Sequence, residues 1–234
     1  MTQSKILNGL ILIPAYDEGR SLAAVVRAAR AVLPALVVDD GSRDDTARQA
    51  RSAGAIVLSN ERNLGKGASL QVGFRYALER GYDFAVTLDA DGQHDPHEIP
   101  LFLKAYAERG SDLIIGQRDF SSMPPLRRLS NTLGTRFFSW AVGRHIPDNQ
   151  SGYRMVSRRL MEFMRQPAEH GFEFELEMIL ACILHHCSMD WVPIRTIYAD
   201  ESSHIHPLHH LVKFVQVSLR AKRILRNVRN DEAT

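Results

Sequence analysis

The sequence contains little cysteine and no long apolar run. Only two of its 234 residues are cysteines, Cys182 and Cys187, which excludes a fold held together by disulfides. The longest apolar run, residues 178–184, falls far short of the roughly 18 residues that a membrane-spanning helix needs. The first residues lack the basic and apolar regions of a secretory signal, so we expect a cytoplasmic protein.

Glycine and proline are not enriched either. The chain has 15 glycines and 10 prolines, with 44% hydrophobic and 24% charged residues, which is the balance of a globular protein rather than a fibrous or disordered one. The length allows one large domain or two small ones. Since no linker-like segment or internal repeat divides the chain, we predict a single domain spanning residues 1–234.

The net charge of +2 hides an uneven distribution. Residues 1–117 carry 13 basic and 15 acidic side chains, whereas residues 118–234 carry 16 and 12. Eight arginines and only two acids lie between residues 118 and 159. This stretch is either a solvated helix surface or a face that meets phosphate or a membrane.

Short apolar runs alternate with amphipathic segments in the first half, which is typical of a parallel sheet wrapped by helices. We predict strands at residues 10–13, 36–38, 56–58, 84–88 and 113–115. We predict helices at residues 21–33, 44–53 and 68–80. Polar residues follow each strand, and ligands of open parallel sheets bind beyond the carboxyl ends of the strands.

The second half is predicted to be mainly helical. Helices are expected at residues 126–142, 173–187 and 208–228, with a strand at residues 191–197. Between residues 213 and 229 the last helix has six basic side chains and no acidic one. Such a helix either lies in a membrane interface, which we favour, or packs on the protein with a wet basic face.

Two carboxylates, Asp89 and Asp91, directly follow the predicted strand 84–88. Carboxylates at this spacing can hold a hard divalent cation that also touches a diphosphate. The alternative is an acidic hairpin turn. A hairpin requires a partner strand directly afterwards, whereas Pro96 begins a helical pattern, so the sequence favours a metal site.

Polar residues with nucleotide-binding chemistry follow three other strands. Tyr16, with Glu18, and the pair Asp39 and Asp40 suit a nucleobase, because a ring packs on its face and a carboxylate accepts from its N–H groups. Taken singly, Asp40 fits a helix cap and Tyr16 a core residue equally well. Lys66 lies between two glycines at a helix start and can reach phosphate, although the spacing is not that of a P-loop.

Seven segments, in this order, resemble the family 2 glycosyltransferases: PAYDEGRSL, VVDDGSRDDT, NLGKGAS, DADGQHDP, IIGQRDF, DNQSGYRM and GFEFELEM. The ordered set is similar to dolichyl-phosphate mannosyltransferases and other polyprenyl-phosphate glycosyltransferases. The resemblance spans residues 11–207. It implies an α/β GT-A fold, a mostly parallel Rossmann-like sheet flanked by helices. We call residues 1–117 the donor half, residues 118–207 the acceptor half, and residues 208–234 the C-terminal basic helix.

The resemblance also implies roles for individual residues. It implies nucleotide contacts for Pro14, Ala15, Tyr16, Glu18 and Asp40, to which the strand-end pattern adds Asp39, Lys66 and Asp89. It implies Mn²⁺ or Mg²⁺ on Asp89 and Asp91, with Gln93 as a further ligand. Arg118 is expected to face the sugar phosphate and the acceptor, and Arg127, Arg128 and Arg154 to contact the acceptor's phosphate.

The implied reaction is metal-dependent and inverts the anomeric carbon of a UDP- or GDP-sugar. A polyprenyl phosphate acceptor arrives already ionised and needs no general base. A hydroxyl acceptor on a cell-surface glycan or glycolipid needs one, and Asp148 is then the expected base. The QxxRW signature of processive polysaccharide synthases is absent, which disfavours polymer synthesis.

Other interpretations stay open. The segment Glu201-Ser202-Ser203-His204 lacks the lysine of the related subgroup, so the acceptor contact can differ there. Six histidines in the second half suggest either a zinc site or, as we favour, polar surface residues: His185, His186, His204, His206, His209 and His210. A noncatalytic protein that binds nucleotide-sugar or lipid phosphate is the main alternative, followed by a sugar-nucleotide nucleotidyltransferase; nucleic-acid binding ranks last.

Overall fold

The computed structural model describes residues 7–165, 173–195, 197 and 207–231. Seven strands form one sheet in the order β3-β2-β1-β4-β6-β5-β7. Six strands run parallel, and β6 is antiparallel to both of its neighbours, β4 and β5. The strands are β1 (Gly9–Ala15), β2 (Ala35–Asp39), β3 (Ile56–Ser59), β4 (Phe84–Thr87), β5 (Leu113–Arg118), β6 (Arg154–Ser157) and β7 (Met189–Ile194).

Helices cover the sheet, and most of them connect successive strands. They are α1 (Leu22–Arg30), α2 (Thr46–Ser52), α3 (Lys66–Glu79), α4 (Ile99–Arg109), α5 (Pro125–Val142), α6 (Arg158–Phe163), α7 (Phe174–Leu184) and α8 (Pro207–Asp231). Two short 3-10 helices, Pro96–Glu98 and Phe120–Ser122, precede α4 and α5.

The sheet is buried on both faces, so its apolar residues alternate between two cores. Leu12 of β1 packs with Phe74 of α3 in one core, while Ile13 packs with Val26 of α1 in the other. The helix α3 lies so close to the sheet that a Cβ at Gly73 would come 2.2 Å from the Leu12 side chain. Continuous apolar strands are thus explained by a parallel sheet with helices on both sides.

The five strands predicted in the donor half are confirmed as β1 to β5, with boundaries that differ by at most three residues. The helices α1, α2 and α3 likewise match, although α3 begins at Lys66, two residues earlier than predicted. The strand predicted at residues 191–197 ends at Ile194. Two elements were not predicted, β6 and α6, because each is short and β6 begins with an arginine.

The inserted strand β6 decides which residues meet at the ligand edge. The carboxyl ends of β1, β2, β4 and β5 share one edge of the sheet. Because β6 runs the other way, its first residue, Arg154, pairs with Thr87 at the end of β4 and with Ile115 of β5. The segment 148–153 before it therefore lies at the same edge.

The C-terminal helix α8 packs on the protein through an apolar stripe. Val217, Ala221 and Leu225 are buried, and the helix contacts α5 and α7. The ammonium of Lys222 lies 3.3 Å from the ring centroid of Trp140 on α5, a cation–π contact. Among the described helices, none combines the length and the apolarity required to cross a bilayer.

Candidate active site

The predicted acidic pair, Asp89 and Asp91, follows the end of β4, and the side chain of Lys66 lies beside Asp89. The Lys66 ammonium, at the first residue of α3, lies 2.6 Å from Asp89 Oδ1 and 2.9 Å from Glu175 Oε1. Burial lowers the pKa of an ammonium, but the two carboxylates reverse this and hold the pKa of Lys66 above its usual range. Burial raises the pKa of Asp89, but the charge of Lys66 outweighs it and holds this pKa at about 2. Lys66 and Asp89 are therefore both charged at neutral pH.

A buried histidine fixes the backbone of the acidic pair. His94 is 7% exposed, and its Nδ1 accepts a hydrogen bond from the Asp89 N–H at 3.1 Å. Burial lowers the pKa of His94 to about 4, against the opposing charge of Asp89. An imidazole that accepts at Nδ1 is neutral, so His94 orients the acidic turn without adding charge.

The second carboxylate, Asp91, accepts a hydrogen bond from the Gln93 N–H at 2.9 Å. Within the described ranges, no group of three His, Cys, Asp or Glu side chains is arranged to hold a metal. Two carboxylates nevertheless suit a hard cation such as Mg²⁺, which in nucleotide enzymes takes its remaining ligands from water and phosphate. The donor set at Asp89 and Asp91 thus fits a cation shared with a diphosphate.

The backbone at Gly152 lies close to Lys66 and Asp89 and forms one wall of the site. A Cβ at Gly152 would lie 2.7 Å from Lys66 Nζ and 3.0 Å from Asp89 Oδ2. The hydroxyl of Thr87 donates to the Gly152 carbonyl at 2.7 Å, which holds this backbone in place. The acceptor half therefore touches the acidic pair through a residue that has no side chain.

The residues expected to bind the nucleotide lie at the ends of β1 and β2. Pro14 and Ala15 pair with residues of β2 and are buried, while Tyr16 is 41% exposed and its ring is accessible for stacking. The Glu18 N–H donates to the Thr46 hydroxyl at 2.8 Å. Asp39, which is buried, accepts from the Ser42 N–H at 3.1 Å.

Asp40 has a structural task that the sequence did not indicate. Its carboxylate accepts hydrogen bonds from Asn60 Nδ2 at 2.7 Å, from the Leu64 N–H at 3.0 Å and from the Gly65 N–H at 2.7 Å. These bonds fix the loop that ends at Lys66. Asp40 therefore links the nucleotide-binding edge to the lysine beside the acidic pair.

Arg118 lies at the end of β5, and its guanidinium forms a two-pronged ion pair with Asp148. Nε donates to Oδ2 at 2.7 Å and Nη2 to Oδ1 at 2.9 Å. Asp148 is fully buried and also accepts from the N–H groups of Gln150 and Ser151. Asp148 was expected to act as the base for a hydroxyl acceptor; its oxygens are buried and already hydrogen-bonded, an arrangement that disfavours this role.

The other predicted phosphate-binding arginines occupy two different environments. Arg154 is fully buried and donates to the carbonyls of Ser151, Glu175 and Asn149 at 2.6–3.0 Å. Burial lowers its pKa to about 10. Arg154 was expected to contact an acceptor's phosphate; because its three guanidinium nitrogens donate to the protein's own backbone, this structure disfavours that contact.

Arg127 and Arg128, by contrast, are exposed on the first turn of α5, which follows Arg118 after one 3-10 helix. Of the histidines, His185 is exposed and stacks on Phe163 with 3.7 Å between ring centroids. His204, His206 and the segment 201–204 lie outside the described residues, as do the side chains of His209 and His210.

Sequence reasoning missed Glu175, His94 and Gly152 as parts of the site. All three lie within segments that carry the family resemblance, but nothing in their local pattern indicates that they meet. Glu175 is on α7, more than 80 positions after Asp89 in the sequence. Only the folded sheet brings it within reach of Lys66.

Comparison with known proteins shows which family the sequence matches. The family described as Glycosyl transferase family 2 matches residues 10–164. The undecaprenyl-phosphate mannosyltransferase of Micrococcus luteus is 33% identical over 184 residues, which cover 72% of this chain and 75% of that protein. The polyprenol monophosphomannose synthase of Mycolicibacterium smegmatis is 33% identical over 202 residues, covering 79% and 76%.

Solved structures show the same fold. Glucosyl-3-phosphoglycerate synthase from Mycobacterium tuberculosis, in complex with Mn²⁺, UDP and phosphoglyceric acid, superposes with a TM-score of 0.72 at 19% identity, covering 93% of this chain and 78% of that one. Its complex with Mg²⁺ and UDP gives 0.71 at 19% identity, covering 93% and 79%. The GT-A fold implied by the sequence is confirmed.

Proposed function

We propose that this chain, which belongs to glycosyl transferase family 2, transfers a sugar from a UDP- or GDP-sugar to a polyprenyl phosphate with inversion at the anomeric carbon. One observation carries the proposal: Asp89, Lys66 and Arg118 converge at the carboxyl edge of the sheet, with Asp148 buried behind Arg118. The relatives named for undecaprenyl phosphate and polyprenol support the acceptor class.

Asp89 and Asp91 are the residues that would hold Mn²⁺ or Mg²⁺, with Gln93 as a further ligand. When bound, such a cation acts as a Lewis acid on the departing diphosphate. The protein's own residues bind and orient the two substrates. Tyr16 offers its exposed ring to the nucleobase, while Asp39 offers an acceptor at the neighbouring strand end and Asp40 fixes the loop that carries Lys66.

Lys66 and Arg118 supply positive charge on the two sides of the reacting bond, each held by carboxylates of the protein. Charges held in place before the reaction stabilise a developing anion without reorganisation. Arg118 suits a phosphate because its planar guanidinium forms paired hydrogen bonds, and Asp148 fixes its orientation. An ionised phosphate acceptor attacks without a base, which agrees with the absence of an accessible carboxylate at Asp148.

A hydroxyl acceptor is the second candidate, and the buried, fully bonded state of Asp148 disfavours it. The two acceptor classes are separated by a direct assay. With Mn²⁺ and donor present, polyprenyl phosphate should accept the sugar and the unphosphorylated polyprenol should not. Equal transfer to the alcohol would refute the proposed acceptor and point to a base elsewhere in the chain.

Replacing Asp91 tests the proposed cation site. Asp91→Ala should lower metal-dependent turnover by at least about 10²-fold, because it removes half of the carboxylate pair that stabilises the leaving group. Release of nucleoside diphosphate measures turnover, and circular dichroism confirms folding. Glu108→Gln, an exposed change on α4, is the matched control. Normal turnover in Asp91→Ala would contradict the proposal.

We further propose that α5 and α8 form a face that contacts the membrane in which such an acceptor lies, on its cytoplasmic side. The basic residues of α8 have a companion on α5, where four large apolar side chains are 55–81% exposed: Leu126, Leu129, Leu133 and Trp140. Basic groups beside exposed apolar ones suit an anionic lipid surface.

Sedimentation with vesicles tests this face. The wild-type protein should bind phosphatidylglycerol vesicles and bind neutral phosphatidylcholine vesicles less. The double change Leu126→Ser with Leu133→Ser should weaken binding, whereas Leu101→Ser, an exposed leucine on α4, should not. Equal binding by all three proteins would reject α5 as the contact.

A further inference from the structure

A lysine held between two carboxylates is the most unusual electrostatic feature beside the proposed cation site. Lys66 Nζ lies 2.6 Å from Asp89 Oδ1 and 2.9 Å from Glu175 Oε1. Asp89 is assigned above to a cation, and Lys66 to the substrates' negative charge. Neither assignment explains why a third charged group, Glu175, is present.

Glu175 is buried at a place where a carboxylate is costly. The residue is 4% exposed, in the first turn of α7, and its Oε2 has no hydrogen-bond partner among the described residues. Burying a carboxylate without compensating contacts is strongly unfavourable. Its ion pair with Lys66 is therefore the contact that offsets the cost of burial.

The fold does not need the Glu175 side chain to anchor α7 here. The contact between this helix and the buried Arg154 uses the Glu175 backbone carbonyl, which accepts from Nη1 at 2.6 Å. That hydrogen bond is available to any residue at position 175. The carboxylate is thus directed to Lys66 alone among the contacts described above.

A cation arriving at Asp89 has to share that carboxylate with the Lys66 ammonium. The two positive charges repel each other, so cation binding at Asp89 favours a shift of the ammonium away from that carboxylate. It cannot move toward Gly152, whose backbone is so close that a Cβ would lie 2.7 Å from Nζ. Glu175 Oε1, 2.9 Å from Nζ, is a second carboxylate oxygen already within reach.

We infer that Glu175 is a positioning residue: it receives the Lys66 ammonium when Asp89 takes up the divalent cation, so that the cleft keeps both positive charges. Lys66 occupies part of the cation's place at Asp89 until then. This inference rests on the proposed cation site at Asp89 and Asp91. It predicts that Glu175 affects cation binding only through Lys66.

A double-mutant cycle on Mn²⁺ binding, measured by electron paramagnetic resonance without nucleotide, tests the inference. Glu175→Gln should raise the Kd for Mn²⁺ about tenfold, because Lys66 then loses its carboxylate partner on α7 and competes harder for Asp89. Lys66→Met should lower the Kd, because the competitor is gone. In the Lys66→Met background, Glu175→Gln should have almost no further effect.

Glu177→Gln is the matched control, because Glu177 is a buried carboxylate on the same helix that pairs with Arg220 rather than with Lys66. It should leave the Kd for Mn²⁺ within about twofold of wild type. Glu175→Asp keeps the charge but shortens the reach, and should give a smaller loss than Glu175→Gln. This variant also provides a result if the glutamine variant folds poorly.

The possible results separate a failure of the inference about Glu175 from a failure of the proposed cation site. If Glu175→Gln weakens Mn²⁺ binding equally with and without Lys66, Glu175 acts on the cation directly and the inference is overturned. Unchanged binding in both Glu175 variants overturns it as well. If the wild-type protein binds no Mn²⁺, with or without UDP, the proposed cation site itself fails.

Discussion

The donor half and the acceptor half treat their charged residues in opposite ways. In the donor half, Asp39 and Asp40 at the end of β2 and Asp89 after β4 stand at one edge of the sheet. In the acceptor half, three types of arginine environment occur: Arg154 is enclosed, Arg118 is ion-paired at the cleft, and Arg127 is exposed. A parallel strand places its terminal side chains at the ligand edge by topology alone, whereas an arginine's role depends on what surrounds it.

The two halves are joined through charge and not only through apolar packing. Lys66 of the donor half meets Glu175 of the acceptor half, and Gly152 brings the acceptor backbone against Asp89. The strand β6, inserted between β4 and β5, follows Gly152 directly along the chain, and its first residue, Arg154, donates to the Glu175 carbonyl. Among the described strands, the antiparallel one therefore places acceptor-half residues at this site.

The largest expected effect is on stability, and it distinguishes the buried Arg154 from the exposed Arg127. Arg154→Met should lower the free energy of unfolding by about 3–5 kcal/mol, since it leaves three buried carbonyls without their donor. Arg127→Met should change it by less than about 0.5 kcal/mol. Urea unfolding measures both. A near-wild-type stability for Arg154→Met would return this arginine to the list of acceptor contacts.

The next effect concerns the ion-paired arginine. Arg118→Ala should reduce kcat by about 10²–10³-fold, as loss of a fixed donor to a developing charge does, while the Kd for the nucleoside diphosphate changes much less. Kinetics beside calorimetry separates the two quantities.

Asp148→Asn serves as the companion variant for the same pair. It leaves Arg118 in place but weakens its orientation, and should give a smaller loss of kcat. A larger loss in Asp148→Asn than in Arg118→Ala would mean that Asp148 has a role of its own, contrary to its assignment as an orienting residue.

The smallest expected effect is on the pH dependence of stability, and it concerns His94 in the donor half. The pKa of His94 is lowered to about 4 by burial, whereas an unfolded histidine has a pKa of about 6.5. Between pH 6.5 and pH 4 the unfolded chain binds a proton that the folded protein does not. The free energy of unfolding therefore declines as the pH falls from 6.5 toward 4. For one such group, the free energy of unfolding falls by about 1.4 kcal/mol for each pH unit between these two pKa values.

His94→Asn keeps an acceptor for the Asp89 N–H but cannot titrate. Urea unfolding at pH 7.0 and 5.5 should therefore show about 1 kcal/mol less loss for the variant than for the wild-type protein. The same loss in both proteins would mean that His94 is protonated in the folded state.

Much of the donor half was predictable because its signals are local. The strands β1 to β5 are continuous apolar runs followed by polar residues, and the acidic pair stands directly after β4. The strand β6 was missed because four residues beginning with Arg154 carry no clear period of their own. It becomes a strand only because β4 and β5 offer it two unpaired edges.

The burial of Asp148 and Arg154 could not be predicted for a related reason. A polar turn rich in donors and acceptors has the same sequence whether it faces a ligand or the interior. Burial decides between these cases, and burial is a property of the packed molecule. Local spacing contains no information about it.

The sequence by itself determined the family, the parallel layers and the order of polar groups along the ligand edge, because these depend on periodicity and on residues adjacent in the chain. The tertiary structure alone decided that Lys66 lies between Asp89 and Glu175, and that Asp148 serves Arg118. Coulombic interactions depend on distance in space, and these charges come from segments that only the folded sheet brings together.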